Sequence, residues 1–195
     1  QGESKPFTSP GKDDFAFVNG HFDFQASKFL NFRFGHGKNF IGDGYRSLLL
    51  SDNAFNYPFL RMTTSFWKIK YVNLFTQMTD RNIILQDQTF ARKYVSSHYL
   101  SAQITKRLTL GLYETVVYQD STSTRGYDIN YLNPFILYRP LEFAIGSRGG
   151  NVLIGGLMKY QITDRFFIYG QGILDEFLFS NFFSGQGWWA LKYGL

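Results

Sequence analysis

A chain of 195 residues without cysteine can carry neither a disulfide framework, nor a thiolate zinc site, nor a thiol nucleophile. Aromatic residues make up 19% of it, with 22 Phe and 13 Tyr, yet mean hydropathy is −0.20; apolar and polar side chains are interleaved, as on strands with two chemically different faces. The formal charge of +5 is scattered, with no block of Lys and Arg, which argues against nucleic acid as a partner.

No stretch approaches the roughly 18 apolar residues that a spanning helix requires. The longest purely apolar runs are pieces such as Phe15-Ala16-Phe17-Val18 and Phe135-Ile136-Leu137-Tyr138. A helical membrane protein is excluded, whereas a β-barrel needs only about 9–11 alternating residues per strand.

In chain order, the sequence opens at Gln1 with neither a Met nor a basic-then-apolar leader, as a chain relieved of its signal peptide or cut from a longer one would. Residues 1–14, polar and rich in Pro and Gly, read as a flexible arm, and residues 15–195 as an outer-membrane barrel region. Gln25-Ala26-Ser27-Lys28-Phe29 is the first short polar connection, and Leu30, Phe32 and Phe34 then alternate with Asn31, Arg33 and Gly35. An irregular stretch over 35–57 follows. Trp67-Lys68-Ile69-Lys70 joins the next two runs, after which Val72 and Leu74 oppose Tyr71, Asn73 and Gln77. A second irregular stretch is expected over 79–93. Gln103-Ile104-Thr105-Lys106-Arg107-Leu108 and Gln161-Ile162-Thr163-Asp164-Arg165-Phe166 are two versions of one hairpin connection. The remaining long excursions cover 120–150 and 175–187, and the final run alternates Trp189, Leu191, Tyr193 and Leu195 with Trp188, Ala190, Lys192 and Gly194.

Tight turns thus alternate with long loops. Bacterial outer-membrane barrels have this asymmetry, with short periplasmic turns and long extracellular loops. The expected fold is all-β: an antiparallel up-and-down transmembrane β-barrel with about nine strands in this chain. Single-chain barrels have even strand numbers, so the nine read as part of a larger barrel. Two places resist this scheme. Glu114 falls in phase with Leu110 and Leu112, which points a carboxylate at lipid, and Phe15 and Phe17 share a phase with Asn19, His21 and Asp23.

Catalytic chemistry finds no foothold. Gly35-His36-Gly37-Lys38-Asn39 lacks the hydroxyl residue and the preceding glycine of a phosphate loop. His21, His36 and His98 are too far apart to suggest a metal site. Ser51, His36 and Asp52 form a triad only on paper, without a nucleophile elbow. Asp175 and Glu176, adjacent on a strand, would point to opposite faces. A non-enzymatic protein without cofactor or metal is expected. Arg46, Asp52, Arg139, Glu142 and Arg148 could pair inside a barrel, where charge at membrane depth must find partners. Trp67, Tyr71, Trp188, Trp189 and Tyr193 suit headgroup girdles, and Tyr45, Tyr57, Tyr127 and Tyr131 on outer loops suit stacking against sugars. With Asn53, the candidate ligand-binding set is Tyr45, Arg46, Asp52, Asn53, Tyr57, Tyr127, Tyr131, Arg139, Glu142 and Arg148.

The most distinctive segment runs from Phe34 to Phe59. Within it, Gly42-Asp43-Gly44-Tyr45-Arg46-Ser47-Leu48-Leu49-Leu50-Ser51-Asp52-Asn53-Ala54 resembles the Wzi family of capsule-assembly outer-membrane proteins and, more closely, the RemB-type gliding-motility proteins of Bacteroidetes. Asn133-Pro134-Phe135, Arg139-Pro140-Leu141-Glu142-Phe143 and Gly146-Ser147-Arg148-Gly149-Gly150-Asn151 are similar to the same group. The resemblance implies a large barrel in the bacterial outer membrane, with membrane lipid around it and surface polysaccharide or other envelope and motility proteins as partners. A passive porin or barrel subunit of an envelope complex is the alternative, and a soluble β-rich carbohydrate-binding module a second one.

Overall fold

The computed structural model describes residues 3–6, 13–16, 18–84, 90–120, 126–135, 137, 138, 140, 150–175 and 188–195. Two short strands, β1 (Glu3–Pro6) and β2 (Asp13–Ala16), pair antiparallel with each other within and just beyond the segment that reads as an arm. The other nine form one sheet: β3 (Gly20–Gln25), β4 (Leu30–Gly37), β5 (Tyr57–Phe66), β6 (Ile69–Ile84), β7 (Phe90–Gln103), β8 (Leu108–Asp120), β9 (Asn151–Gln161), β10 (Phe167–Asp175) and β11 (Trp188–Gly194). Each pairs antiparallel with its neighbours in sequence, so the sheet is a simple meander. It is not closed, and β3 and β11 are its two edges. No helix among the described residues is long and apolar enough to cross a membrane.

All four expected hairpin connections are present, and three share one device. Ser27 Oγ accepts from the N–H groups of Phe29 and Leu30 at 3.2 Å each. Thr105 Oγ1 accepts from Arg107 and Leu108 at 3.2 and 3.0 Å, and Thr163 Oγ1 from Arg165 and Phe166 at 3.3 and 3.2 Å. A hydroxyl at this position folds the chain back on itself using neighbours two and three residues on, which is why the pattern repeats in the sequence. The fourth connection has only two residues, and Trp67 takes φ 52 there, the left-handed backbone that two-residue hairpins demand.

The opposite ends of the strands carry the long connections, 38–56, 121–150 and 176–187. The expected loop over 79–93 is corrected: β6 extends to Ile84 and β7 starts at Phe90, with an irregularity between Asp80 and Ile84. A ladder satisfies backbone groups whatever the side chains, so polar residues at a strand end do not stop it. The Phe15 phase conflict also resolves. The main sheet begins afresh at Gly20, and Phe22 and Phe24 share one face with Phe34 and Phe32.

Register gives the sheet two faces. On one, Phe22, Phe34, Leu60, Phe75, Ser96, Val116 and Val152 stand in line. One residue along, Asp23, Arg33, Arg61, Leu74, Ser97, Thr115 and Leu153 line the other. The first face is apolar and much of it is bare: Phe22, Phe34, Leu112, Trp189 and Leu191 are all more than half exposed. The second is polar towards the tight turns, with an apolar cluster of Ile41, Leu49, Tyr57, Phe59, Leu74, Tyr113 and Leu157 nearer the long connections.

Candidate functional site

Two chain segments fold back over the sheet, one on each face. The inner cover, residues 38–56, lies on the polar face. Gly42 and Gly44, at φ 133 and φ 83, allow it to turn close to β10: a Cβ on Gly42 would collide with Ser47 and Gln171, and one on Gly44 with Tyr169. Ile41 and Leu50 then pair as an isolated antiparallel bridge. Gln171, 2% exposed, pins the turn. Its Oε1 accepts from Leu48 N at 2.8 Å and from Ser47 Oγ at 3.3 Å, and its Nε2 donates to the Asp43 carbonyl at 3.0 Å. The Asp43 carboxylate meets Lys159 Nζ at 2.9 Å. Below, the Tyr57 hydroxyl accepts from Asn39 N at 3.1 Å.

The second segment, a strap over 126–138 (residue 136 apart), lies on the apolar face. A row across all nine strands explains why it is there. Phe24, Phe32, Met62, Asn73, His98, Glu114, Ile154, Leu174 and Trp189 are successive cross-strand partners, so three polar side chains interrupt an apolar stripe at its centre. The strap seals them: Asn73, His98 and Glu114 are 2%, 0% and 3% exposed. The Glu114 carboxylate accepts from Leu137 N and Tyr138 N at 2.5 Å each. Leu137 takes φ 122, a costly backbone for a branched residue, and in this turn both N–H groups face the carboxylate. Tyr138 stacks on His98 with centroids 4.3 Å apart, and its hydroxyl lies 2.8 Å from His98 Nε2 and donates to the Tyr131 carbonyl at 3.0 Å. Glu114 Oε2 sits 3.8 Å from His98 Nδ1. Tyr131 stacks on Tyr118 at 4.5 Å, while Tyr127 packs edge-on against Phe75 and Tyr94 and bonds Ser96. The Tyr71 hydroxyl donates to the Pro134 carbonyl. Burial raises the Tyr138 hydroxyl and pushes that of Tyr127 up to about 12.

The strap is itself two-sided. Tyr127, Tyr131 and Tyr138 face the sheet, while Ile129, Leu132, Phe135 and Leu137 point away, between 43% and 76% exposed. The outer surface is therefore largely apolar where the sheet beneath is polar, with Asn130 and Asn133 exposed among these four.

Of the candidate ligand residues, Tyr45 is exposed on the inner cover with the Arg46 guanidinium 5.4 Å over its ring, and Asp52 and Asn53 are exposed nearby. Tyr57 and Tyr131 are buried in the two apolar clusters, and Tyr127, itself in the strap, packs against the sheet. The expectation of free rings for sugar stacking is therefore corrected for these three: Tyr57 begins β5 and faces its cluster, and the strap turns Tyr127 and Tyr131 onto the sheet, while Tyr45 stays exposed. Arg139, Glu142 and Arg148 lie outside the described residues. Arg46 and Asp52 form no ion pair among the described residues, because both point into solvent; the polar face instead pairs Lys159 with Asp43 and Arg33 with Asp23. Trp67, Trp189 and Tyr193 are exposed, Tyr71 serves the strap rather than a girdle, and the Trp188 side chain lies outside those described. The residues that hold both covers, Gln171, His98 and Tyr138, carry no local signal; only Glu114, out of keeping with Leu110 and Leu112, marks the strap's seat in the sequence.

Among the described residues, no three His, Asp or Glu side chains come together as metal ligands. Comparison with family models, with curated proteins and with solved structures finds no match.

Proposed function

We propose that the nine strands are a stretch of the wall of a β-barrel in the bacterial outer membrane. The apolar face meets lipid and the polar face, with its inner cover, meets the lumen. The protein is a non-enzymatic binding or scaffolding protein, engaging surface polysaccharide or gliding and adhesion machinery through its long connections, as the Wzi-like and RemB-like segments suggest. The observation that carries the membrane reading is the seal over Asn73, His98 and Glu114 by a strap with an apolar outer side. In water these polar groups could stay bare at no cost. In lipid an unsealed charge costs about 2.5–3.5 kcal/mol at mid-depth. Strands β5 to β10 run from 9 to 16 residues, enough to span a bilayer. A bare apolar face of this breadth is otherwise an aggregation hazard. Its hollow over Gly156 and Gly172, walled by Trp189 and Leu191, suits an acyl chain. The unpaired edges of β3 and β11 would find partner strands, since lipid satisfies no backbone group.

Fractionation of native cells and a heat-modifiability gel in detergent test this reading. Recovery with the outer membrane and a heat-dependent mobility shift are expected. A water-soluble, monomeric chain without a shift would overturn it in favour of a soluble glycan-binding domain. Surface polysaccharide that fails to bind the native protein would remove the glycan role while leaving the barrel.

A further inference from the structure

The polar face carries positive charge that its strand neighbours do not neutralise. Arg33 and Arg61 stand directly opposite each other in the β4–β5 register, an arrangement in which like charges repel. Lys70 stands opposite Ser65 on the neighbouring strand and the same face, within the field of Arg61. The carboxylate that acts on both arginines is Asp23, and it is already divided between Arg33 at 3.0 Å and His21 at 3.2 Å. Among the described residues neither Arg61 nor Lys70 forms an ion pair. The Arg33 side chain is 40% exposed and Lys70 is exposed, while Arg61 is partly buried, so the patch is open to solvent at Arg33 and Lys70.

We infer that Arg33, Arg61 and Lys70 form a binding site for an anionic group, a carboxylate or a phosphate. Two guanidinium forks side by side match a group with two or three acceptor oxygens. Its arrival replaces a repulsion between strands by two charge-assisted bonds. Thr63 and Ser65, alternating onto the same face beyond Arg61, offer hydroxyl partners to a sugar carrying the anion. The inference rests on the proposed function for the ligand's source, and it adds a contact on the lumen face towards the tight turns to those of the long connections: the polysaccharide engaged is an acidic one.

The test is calorimetric titration of the full chain in detergent with inorganic phosphate, with oligogalacturonate as a carboxylated oligosaccharide, and with maltohexaose as a neutral one. Oligogalacturonate should bind, more weakly as salt rises, and maltohexaose should not. Arg61→Gln should weaken binding by about tenfold to a hundredfold, the loss of one charged hydrogen bond, and Lys70→Gln should weaken it in the same direction. Lys28→Gln, the same charge change at the β3–β4 turn, should leave it unchanged. Binding of phosphate alone, lost in Arg61→Gln, would support the anion site and assign it to a phosphate source instead. Absence of binding by either anion, or equal weakening by Lys28→Gln, would overturn the site. Neither result bears on the mobility-shift gel, so failure of the site and failure of the barrel reading stay separable.

Discussion

The Glu114 carboxylate holds the N–H groups of Leu137 and Tyr138 at 2.5 Å each, so a Glu114→Ala chain should lose the strap while keeping the sheet. Each bond is charge-assisted and buried, worth about 1.5–3 kcal/mol, and together they contribute about 3–6 kcal/mol to the docked state. That corresponds to at least about a hundredfold in the opening equilibrium. The loss stays local, because the strap opens as a unit while the ladders of β6, β7 and β8 beneath it remain paired. Glu114→Gln keeps the shape but only one acceptor oxygen, and should lose roughly half as much. Hydrogen exchange with mass spectrometry reads this directly: peptides over 126–138 should lose protection in the order Gln, then Ala, with the β3–β4 hairpin unchanged. Unaltered strap exchange in Glu114→Ala would refute the clasp, and an equal loss of protection across all strands would refute its local character.

On the other face, Gln171→Leu leaves Leu48 N and the Asp43 carbonyl without their partner and should cost about 1–3 kcal/mol, seen as faster exchange over 41–50 alone. Gly44→Ala should act in the same place, since the added methyl meets Tyr169 at a φ of 83. Thr105→Ala and Thr163→Ala each remove the acceptor of two turn N–H groups and should cost about 0.5–1.5 kcal/mol of stability apiece, seen as a modestly lower denaturation midpoint. The Tyr127 hydroxyl is pushed up to about 12 by burial, so the folded chain holds this proton more tightly than the unfolded one. The stability this lends is whole below about pH 10 and is lost as pH rises through about 12. An absorbance titration at alkaline pH should show a late-ionising class of tyrosines that shrinks by one in Tyr127→Phe.

The sheet was legible in the sequence where its causes are local. A hydroxyl at Ser27, Thr105 and Thr163 makes each turn with its own neighbours, and period-two alternation reveals the faces of β4 and β7 without knowledge of what they pack against. The two covers were not legible for the opposite reason. Tyr57, Tyr131 and Tyr138 look like any loop tyrosine until the loop is folded, and the groups that bury them come from residues far along the chain: Leu74, Tyr113 and Leu157 in one case, His98, Glu114 and Val152 in the other. The extension of β6 and β7 through 79–84 and 90–93 was hidden because polar side chains at a strand end resemble a loop. Glu114 was the exception. Its misfit to the alternation of β8 pointed to its place before its partners were known, since a carboxylate on an apolar face must be covered by something.

Whether the face bearing Phe34, Leu112 and Leu191 meets lipid can be tested directly, because the chain has no cysteine of its own. Single cysteines at Leu112 and Leu191 on the apolar face, and at Thr63 and Ser101 on the polar one, would carry nitroxide labels in reconstituted bilayers. Accessibility to oxygen, which concentrates in lipid, is compared with accessibility to a water-soluble nickel chelate. High oxygen and low nickel accessibility are expected at Leu112 and Leu191, and the reverse at Thr63 and Ser101. High nickel accessibility at the two leucine positions would contradict lipid contact at this face.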